Sequence, residues 1–264
     1  MLSFATVFLA SIVGSSLGAA VNNTGLVDTL RDAATAVDRV NDLPKDSQFV
    51  FDFFNPTAGV STGAGGSVIL ANVASFPAVV GNGAAMAVGI LEPCGMNTPH
   101  THPRATEIQF NVNGTIRTGM ITENGGRFIM TDLQPGQMTI FPQGSIHFQI
   151  NEGCEPALFV SGLNSEDPGA LQIAQRFLGL PPDIVAATLG DIGIEEVMGL
   201  NDLIPDSVAL GTDECLQRCG ITRTSQPTTQ QQTRVSGNAF PSGVTASTYA
   251  TGYQSAPTTS SKSH

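Results

Sequence analysis

Charged side chains are scarce in this 264-residue sequence, and basic ones are the scarcer kind. Charged residues make up 12% of the chain, and 11 Lys and Arg stand against 22 Asp and Glu, for a formal net charge of -11. A protein with this balance repels a polyanion. The composition therefore predicts no nucleic-acid partner.

Long apolar runs are lacking beyond the first twenty residues. No later stretch reaches the roughly 18 consecutive apolar residues that a membrane-spanning helix needs, so we expect no membrane partner. Residues 1–20 are apolar from Leu2 to Val13 and then small, which predicts a signal peptide that is cut after Ala20. This leader has no Lys or Arg, which leaves a short core helix as the alternative. We expect a secreted protein, extracellular or in a cell wall.

Short β-like runs dominate the middle of the chain. From Gln48 to Gly162, segments rich in Val, Ile, Phe and Thr are separated by Gly, Pro and Asn; they are QFVFDFF, GSVILANV, AAMAVGIL, TEIQFNV, RFIMTDL, QMTIF and IHFQI. Evenly spaced runs of this kind are typical of a sandwich or barrel. The sequence therefore predicts an all-β domain.

Helical patterns follow the β-like region. Apolar residues recur at helical spacing after Pro168, and PPDIVAATLG, GIEEVMGLNDL and DECLQRCG each begin or end with a helix signal. We divide the chain into an N-terminal extension (21–45), the domain with its C-terminal helices (46–220) and a tail (221–264). The tail has 18 Ser and Thr and no carboxylate, so we expect it to be disordered and to offer a contact to a cell wall.

Three of the four histidines fall in the β-like region. His100 and His102 are two residues apart, so on a strand both imidazoles project from the same face. Glu107 follows five residues later, and His147 lies in another turn-flanked run. Three imidazole nitrogens and one carboxylate oxygen are a typical ligand set for a metal ion.

These residues also lie in two motifs that resemble those of the cupin family. The first is Gly95-MNTP-His100-Thr-His102-PRAT-Glu107-IQFNVN-Gly114, and the second is Gly136-QMTIF-Pro142-Gln-Gly144-SI-His147-FQI-Asn151. The first departs from the family pattern by having four residues, not five, between Gly95 and His100. The strings PHTHPRATE and LNSEDPG resemble the germin and spherulin branch, in particular its secreted fungal members, from about Asp46 to Gly220.

The resemblance implies a cupin double-stranded β-helix, or jelly-roll barrel, with a small helical appendage. It implies a metal bound by His100, His102, Glu107 and His147, usually Mn²⁺ in this branch. Ligand chemistry alone does not select manganese, because imidazoles bind zinc, copper, iron and nickel more tightly. Strand alternation places Gln109 and Asn111 on the side of Glu107, and Gln149 and Asn151 on the side of His147. These amides line the interior, where they either contact a ligand or satisfy backbone groups.

Two positions bear on enzymatic activity. Asn97 matches an asparagine that binds substrate in the germin oxalate oxidases, but Ala87 stands where those enzymes have a second one. Gln109 or Asn111 could substitute for it. We consider Asn97 and Gln149 as hydrogen-bond donors beside the metal ligands. Superoxide dismutation needs no amide pair, so an oxidoreductase of that type is favoured over an oxalate oxidase. The function we predict is that of a secreted, manganese-binding cupin of the germin and spherulin type, whose activity the sequence does not specify. A manganese-dependent oxidoreductase is the alternative, and without catalysis the protein would be a metal-holding structural protein of the extracellular space or cell wall.

Four cysteines allow three pairings. In a jelly roll of the cupin type, the strands with His100 and His147 are antiparallel neighbours, and this register places Cys94 opposite Cys154. We therefore predict a Cys94–Cys154 disulfide. Cys215 and Cys219 are four residues apart on one helix face, where they form either a local bridge or two packed thiols. A metal role is less favoured because no further Cys or His remains to complete a site.

The outward face of the Glu107 strand predicts self-association. Ile108, Phe110 and Val112 point away from the metal and need cover from another sheet, the helices or a second subunit. The resemblance to germins implies a homo-oligomer, either a trimer or a hexamer.

Overall fold

A computed structural model describes residues 23–223 and 234–247. The strands are β1 (Val60–Gly63), β2 (Gly66–Ala71), β3 (Ala85–Leu91), β4 (Gly95–Thr101), β5 (Glu107–Asn113), β6 (Ile116–Ile121), β7 (Ile129–Leu133), β8 (Met138–Phe141), β9 (Ile146–Asn151), β10 (Ala157–Leu163), β11 (Leu171–Gln172) and β12 (Ala209–Leu210). The helices are α1 (Thr24–Asp32), α2 (Ala36–Asn41), α3 (Ile173–Phe177), α4 (Pro182–Thr188), α5 (Ile194–Leu203) and α6 (Asp213–Arg218). No helix in the described ranges is long and apolar enough to cross a membrane. The predicted signal peptide lies outside these ranges.

The strands form two antiparallel sheets. One has the order β1-β2-β3-β10-β5-β8, and the other has the order β11-β4-β9-β6-β7 with β12 paired to β4. Strands that are distant in sequence are neighbours in both sheets, as in a jelly roll. The cupin fold predicted from the motifs is therefore confirmed, including the few short helices at its C-terminal end.

Strand β5 shows why the sequence folds this way. Glu107, Gln109 and Asn111 are buried, whereas Ile108, Phe110 and Val112, which alternate with them, remain 43–47% exposed. The predicted alternation is confirmed, with the unusual outcome that the polar side chains face inward. Apolar packing surrounds this polar interior and includes a cluster of Leu91, Ile116, Ala157, Phe159 and Val208.

The segment QFVFDFF does not form the strand that its composition predicts. It begins in a short 3-10 helix at Asp46–Phe49 and then follows an irregular path. The side chain of Asp52 accepts hydrogen bonds from the backbone N–H groups of Phe54 and Asn55, at 2.9 and 3.1 Å. These are N–H groups that a strand would donate to a neighbour, so the aspartate turns the chain instead.

The helix expected from Pro168 begins later than predicted, at Ile173. The carboxylate of Asp167, which precedes Pro168, accepts a hydrogen bond from Arg104 Nη2 at 2.9 Å and caps no helix. Gly169 then adopts a positive φ of 68°, and Leu171–Gln172 pairs with β4 as the strand β11. Helices α4, α5 and α6 occur where the sequence predicts them.

Part of the tail is ordered, contrary to the prediction. Within residues 234–247, the Asn238 side chain is buried and donates to the carbonyl of Gly179 at 2.6 Å. The Arg234 guanidinium lies 3.8 Å from the centre of the Phe240 ring, and Phe240 packs against the α3–α5 cluster. The high Ser and Thr content of the tail led to a prediction of disorder, although Asn238 and Phe240 fix this part of it to the body of the protein. Residues 224–233 and 248–264 lie outside the described ranges.

The predicted Cys94–Cys154 disulfide is wrong, and Cys215 and Cys219 form neither a local bridge nor a pair of free thiols. The structure pairs Cys94 with Cys215 and Cys154 with Cys219, at Cα–Cα distances of 5.7 and 5.3 Å. The register between β4 and β9 slips between Asn97 and His100, so that Met96 lies opposite Ile150. Continuing this register places Cys94 opposite residue 152, and its N–H bonds to the Gly153 carbonyl at 3.2 Å.

Helix α6 supplies the partners for both strand ends. Cys215 and Cys219 lie one helical turn apart, as predicted, but each bonds to a different strand end rather than to the other. Cys94 directly precedes β4, and Cys154 follows β9. The helix therefore fastens these two strands together. All four cysteines are oxidised, which leaves no thiolate for a metal.

Candidate metal centre

The structure brings the four predicted ligands together from three parts of the barrel. His100 lies near the end of β4, His102 just after it, Glu107 at the start of β5 and His147 on β9. One ligand atom from each lies within 4.8 Å of the others. The His102 side chain is 11% exposed, and the other three are at most 4% exposed. The cluster is therefore almost closed to solvent, with His102 at its open side.

Backbone carbonyls orient all three imidazoles. Each ring pairs its Nδ1 with a carbonyl oxygen: His100 with Thr98 at 2.8 Å, His102 with Gly169 at 2.5 Å and His147 with Ser145 at 3.0 Å. A ring that donates from Nδ1 presents the lone pair of Nε2. The His147 ring also stacks on Phe141 at 4.3 Å. The three Nε2 atoms are thus held ready to coordinate an ion.

The carboxylate of Glu107 completes the cluster. Its Oε1 accepts a hydrogen bond from Ser161 Oγ at 2.6 Å. Its Oε2 lies 2.9 Å from His102 Nε2 and 3.2 Å from His147 Nε2. These nitrogens carry lone pairs while their Nδ1 atoms donate, so a positive charge is needed between them and the oxygen. A bound cation satisfies this requirement without protonating a ring.

Burial and charge separate the pKa values within the cluster. Burial, followed by the neighbouring His147 and His102, lowers the pKa of His100 to about 3. Burial alone would raise the pKa of Glu107, but hydrogen bonds with the two histidines outweigh it and lower that pKa. Burial would lower the pKa of His102, but its contacts with Glu107 outweigh burial and raise it. The lowered pKa keeps His100 neutral and able to coordinate an ion. At His102 an ion would compete with the proton whose binding Glu107 favours.

A cavity of about 100 Å³ opens beside the ligands. His100, His102 and Glu107 line one side of it. Drug-sized ligands occupy pockets of roughly 300 Å³ or more, so this space suits a molecule of only a few heavy atoms. The cluster therefore has room for small ligands next to an ion, unlike a closed structural site.

Asn97 and Gln149 touch each other rather than the metal ligands. Asn97 Nδ2 donates to Gln149 Oε1 at 2.9 Å, and Asn97 Oδ1 accepts from Ser207 Oγ at 3.0 Å. Asn97 lines the cavity, as does Ala87. Gln149 is fully buried behind Asn97. Asn97 is thus placed to meet a small ligand, and Gln149 to hold Asn97.

The other interior amides have different environments. Asn111 donates to the carbonyls of Gly114 and Leu133, both at 2.8 Å. Of the two roles expected for the interior amides, Asn111 therefore has that of pairing with backbone groups. Gln109 is fully buried, and neither atom of its amide has a hydrogen-bond partner among the described residues. Ser161 lies between Gln109 and Ala87 in one cross-strand row. Gln109 is nevertheless not among the cavity-lining residues.

Sequence patterns missed several residues of the centre. Ser161 could have been found from the sequence, because the residues of strand β10 alternate between buried and less buried positions and Ser161 occupies a buried one. Gln172 and Ser207 line the cavity, but they belong to segments that are far in sequence from the two motifs. No local pattern indicates such a position.

Comparisons with known proteins agree with the motifs. Residues 51–192 match the cupin family. Spherulin-1A of Physarum polycephalum is 46% identical over 196 residues, which cover 74% of this chain and 79% of that protein. Germin-like protein 1-3 of Oryza sativa subsp. japonica is 34% identical over 201 residues, covering 71% and 86%.

A solved structure of oxalate oxidase is similar with a TM-score of 0.54 and 28% identity, over 59% of this chain and 80% of that one. The chain belongs to the cupin family and, within it, to the germin-like and spherulin-like proteins.

Proposed function

We propose that the chain is a secreted, manganese-binding germin- and spherulin-like cupin of the extracellular space or cell wall. The observation that carries this proposal is the convergence of three Nε2 atoms and one carboxylate, with every imidazole oriented by a backbone carbonyl. Such orientation is typical of metal-binding histidines. The ligands would be His100, His102, Glu107 and His147.

Manganese fits the donor set and the space around it. Mn²⁺ favours six ligands, including oxygen donors, so four protein ligands leave two positions for small molecules. The cavity of about 100 Å³ beside the cluster provides the room for them. The identity of the ion rests on the resemblance to germins, since the imidazoles alone favour other metals. Bound there, manganese would supply a redox-active Lewis acid.

Elemental analysis of the purified full chain tests the proposal. We expect a single manganese ion per chain in protein secreted into manganese-containing medium. Zinc at full occupancy would contradict the manganese assignment but support the ligand set. An absence of any bound metal, in protein reconstituted with each divalent ion in turn, would contradict the function itself.

Secretion is supported by two features. All four cysteines form disulfides, which persist in oxidising compartments. Residues 1–20 have the apolar and then small pattern of a signal peptide. The Ser- and Thr-rich tail would then be available for contact with a cell wall.

A manganese-dependent oxidoreductase is the second candidate function. The cavity that adjoins three of the four ligands favours it, since a purely structural ion needs no access for small molecules. Superoxide dismutation is preferred to oxalate oxidation, because Ala87 lacks the amide of the germin enzymes. Superoxide and oxalate assays on manganese-loaded protein separate the two. Inactivity in both assays favours the non-catalytic, metal-holding function.

Self-association through the outer face of β5 and β8 is part of the proposal. This apolar face consists of Ile108, Phe110, Val112, Met138 and Ile140, each 43–60% exposed in the single chain. Cross-strand pairing of Ile108 with Ile140 and of Phe110 with Met138 makes the face continuous. Continuous apolar surface at the edge of a sheet favours association. The resemblance to germins implies a trimer or hexamer.

We expect Phe110→Glu to convert the oligomer into smaller species in analytical ultracentrifugation. The new carboxylate would have to be buried without a partner in the interface. Val37→Glu is the matched control, since Val37 is exposed on α2, away from this face. Unchanged mass of the Phe110 variant, or equal dissociation of the control, would exclude this face as the interface.

A further inference from the structure

Strand β10 (Ala157–Leu163) turns one polar side chain toward the barrel interior. Its buried positions are Ala157, Phe159, Ser161 and Leu163, and Ser161 is only 1% exposed. The strand is paired on both sides, with β3 and with β5, so Ser161 lies in the middle of a sheet. A hydroxyl that is buried in this way needs a hydrogen-bond partner. The partner that it has therefore indicates its role.

Glu107 is the partner of Ser161. The Ser161 Oγ donates to Glu107 Oε1 at 2.6 Å. Because a hydroxyl has one hydrogen and an ionised carboxylate only accepts, this bond uses the full donor capacity of the serine. The register between β10 and β5 places Leu163 opposite Glu107 and Ser161 opposite Gln109. The serine therefore reaches the carboxylate diagonally, from the neighbouring row of side chains.

The two oxygens of the Glu107 carboxylate have different surroundings. Oε2 lies 2.9 Å from His102 Nε2 and 3.2 Å from His147 Nε2. Oε1 is the oxygen that accepts from Ser161. A rotation that brought Oε1 toward the imidazole nitrogens would break the bond to the serine. The hydroxyl thus determines which oxygen lies among the ligand atoms.

Neither neighbour of Ser161 in its cross-strand row can replace it. On the β3 side the neighbour is Ala87, which has no polar side-chain atom. On the β5 side it is Gln109, whose amide has no hydrogen-bond partner among the described residues and so does not contact Glu107. Within the described part of the chain, the bond from Ser161 is the one that holds Oε1.

We infer that Ser161 is a positioning residue that keeps Glu107 a one-oxygen ligand of the ion. The inference rests on the proposed metal site. With Oε1 held by the hydroxyl, the protein would supply four donor atoms. Without the hydroxyl, Oε1 would be free to bind as well, since a carboxylate binds metal ions through one oxygen or through both. Ser161 would thereby keep two of the six positions of manganese open toward the cavity.

Electron paramagnetic resonance of the manganese-loaded full chain in oxygen-17-enriched water tests this inference. Each labelled water on the ion broadens the manganese signal, so the broadening reports the number of bound waters. We expect two waters in the wild type and one in Ser161→Ala, together with a changed fine structure in the variant. At saturating manganese the variant should still hold one ion per chain, because all four ligands remain.

Two further variants make the result specific. Ser161→Thr keeps the hydroxyl and should keep both waters and the wild-type spectrum. Thr118→Val is the matched control, since it removes a buried hydroxyl that pairs with Thr131 at 3.0 Å rather than with a ligand. Equal numbers of waters in the wild type and Ser161→Ala, or the same loss in Thr118→Val, would overturn the inference while the metal site stands. Wild type that binds no manganese would instead overturn the proposed function.

Discussion

Replacing His102 with alanine is expected to abolish stoichiometric metal binding. One ligand of four is lost, which costs more than the roughly 10- to 100-fold in affinity that follows from losing a hydrogen-bond partner of a ligand. His102 is the best choice because its side chain, at 11% exposed, is the least buried of the four, so its truncation disturbs the core least. His147, in contrast, is stacked on Phe141 and almost fully buried. Elemental analysis after dialysis measures the loss.

The same variant should unfold at a lower temperature. An ion present at a hundred times its dissociation constant stabilises the native state by about 2.7 kcal/mol. For a chain of this size, that corresponds to a fall of about 5 to 10 °C in Tm. Wild type treated with a chelator should show the same fall, whereas the chelator should leave the variant unchanged.

Thr101→Ala is the matched control for the His102 variant. Thr101 neighbours His100 on β4, but strand alternation turns it to the other face, and its buried hydroxyl has no hydrogen-bond partner. We expect full metal content in this control. Full metal content in His102→Ala would refute the ligand assignment, and metal loss in both variants would indicate general damage to β4.

Removal of the disulfides should give the second large effect. The Cys94–Cys215 bridge closes a separation of 121 residues, and the Cys154–Cys219 bridge closes one of 65. The chain-entropy relation gives losses of about 5 and about 4 kcal/mol for loops of these lengths. We expect Cys94→Ala with Cys215→Ala to be the more destabilising pair, because those sulfurs are also buried against Leu210 and Leu216. Chemical denaturation of each double variant measures the difference.

Peptide mapping without reduction distinguishes the two possible arrangements. We expect proteolytic fragments that join residue 94 to 215 and residue 154 to 219. Fragments that join 94 to 154 would contradict the structure and restore the pairing expected from strand register. In that case, the Cys154→Ala and Cys219→Ala double variant would break both bridges and lose more stability than the 65-residue loop accounts for.

The direction of each side chain on its strand could be predicted from the sequence. On β5, alternation alone places Glu107, Gln109 and Asn111 inward, and the structure agrees. The two motifs also identified His100, His102 and His147, which the structure brings together with Glu107. These predictions succeed because a strand has a period of two and because the motif residues follow each other at short, fixed spacing.

The register between distant strands could not be predicted in the same way. The register on the Met96 side of the irregularity between Asn97 and His100 places residue 152, and not Cys154, opposite Cys94, and the expected disulfide does not form. The Ser- and Thr-rich composition similarly concealed the anchor at Asn238 and Phe240, which depends on α3–α5 being present to receive it.

The sequence by itself determined the fold family, the four residues of the candidate metal centre and the polar character of the barrel interior. Only the tertiary structure decided which cysteines pair, that carbonyls such as that of Gly169 orient the imidazoles, and that Gln172 lies beside His100. The physical reason is the range of the interactions. Alternation and motif spacing act over a few residues, whereas these contacts join segments separated by about 60 residues or more, or depend on the register of neighbouring strands.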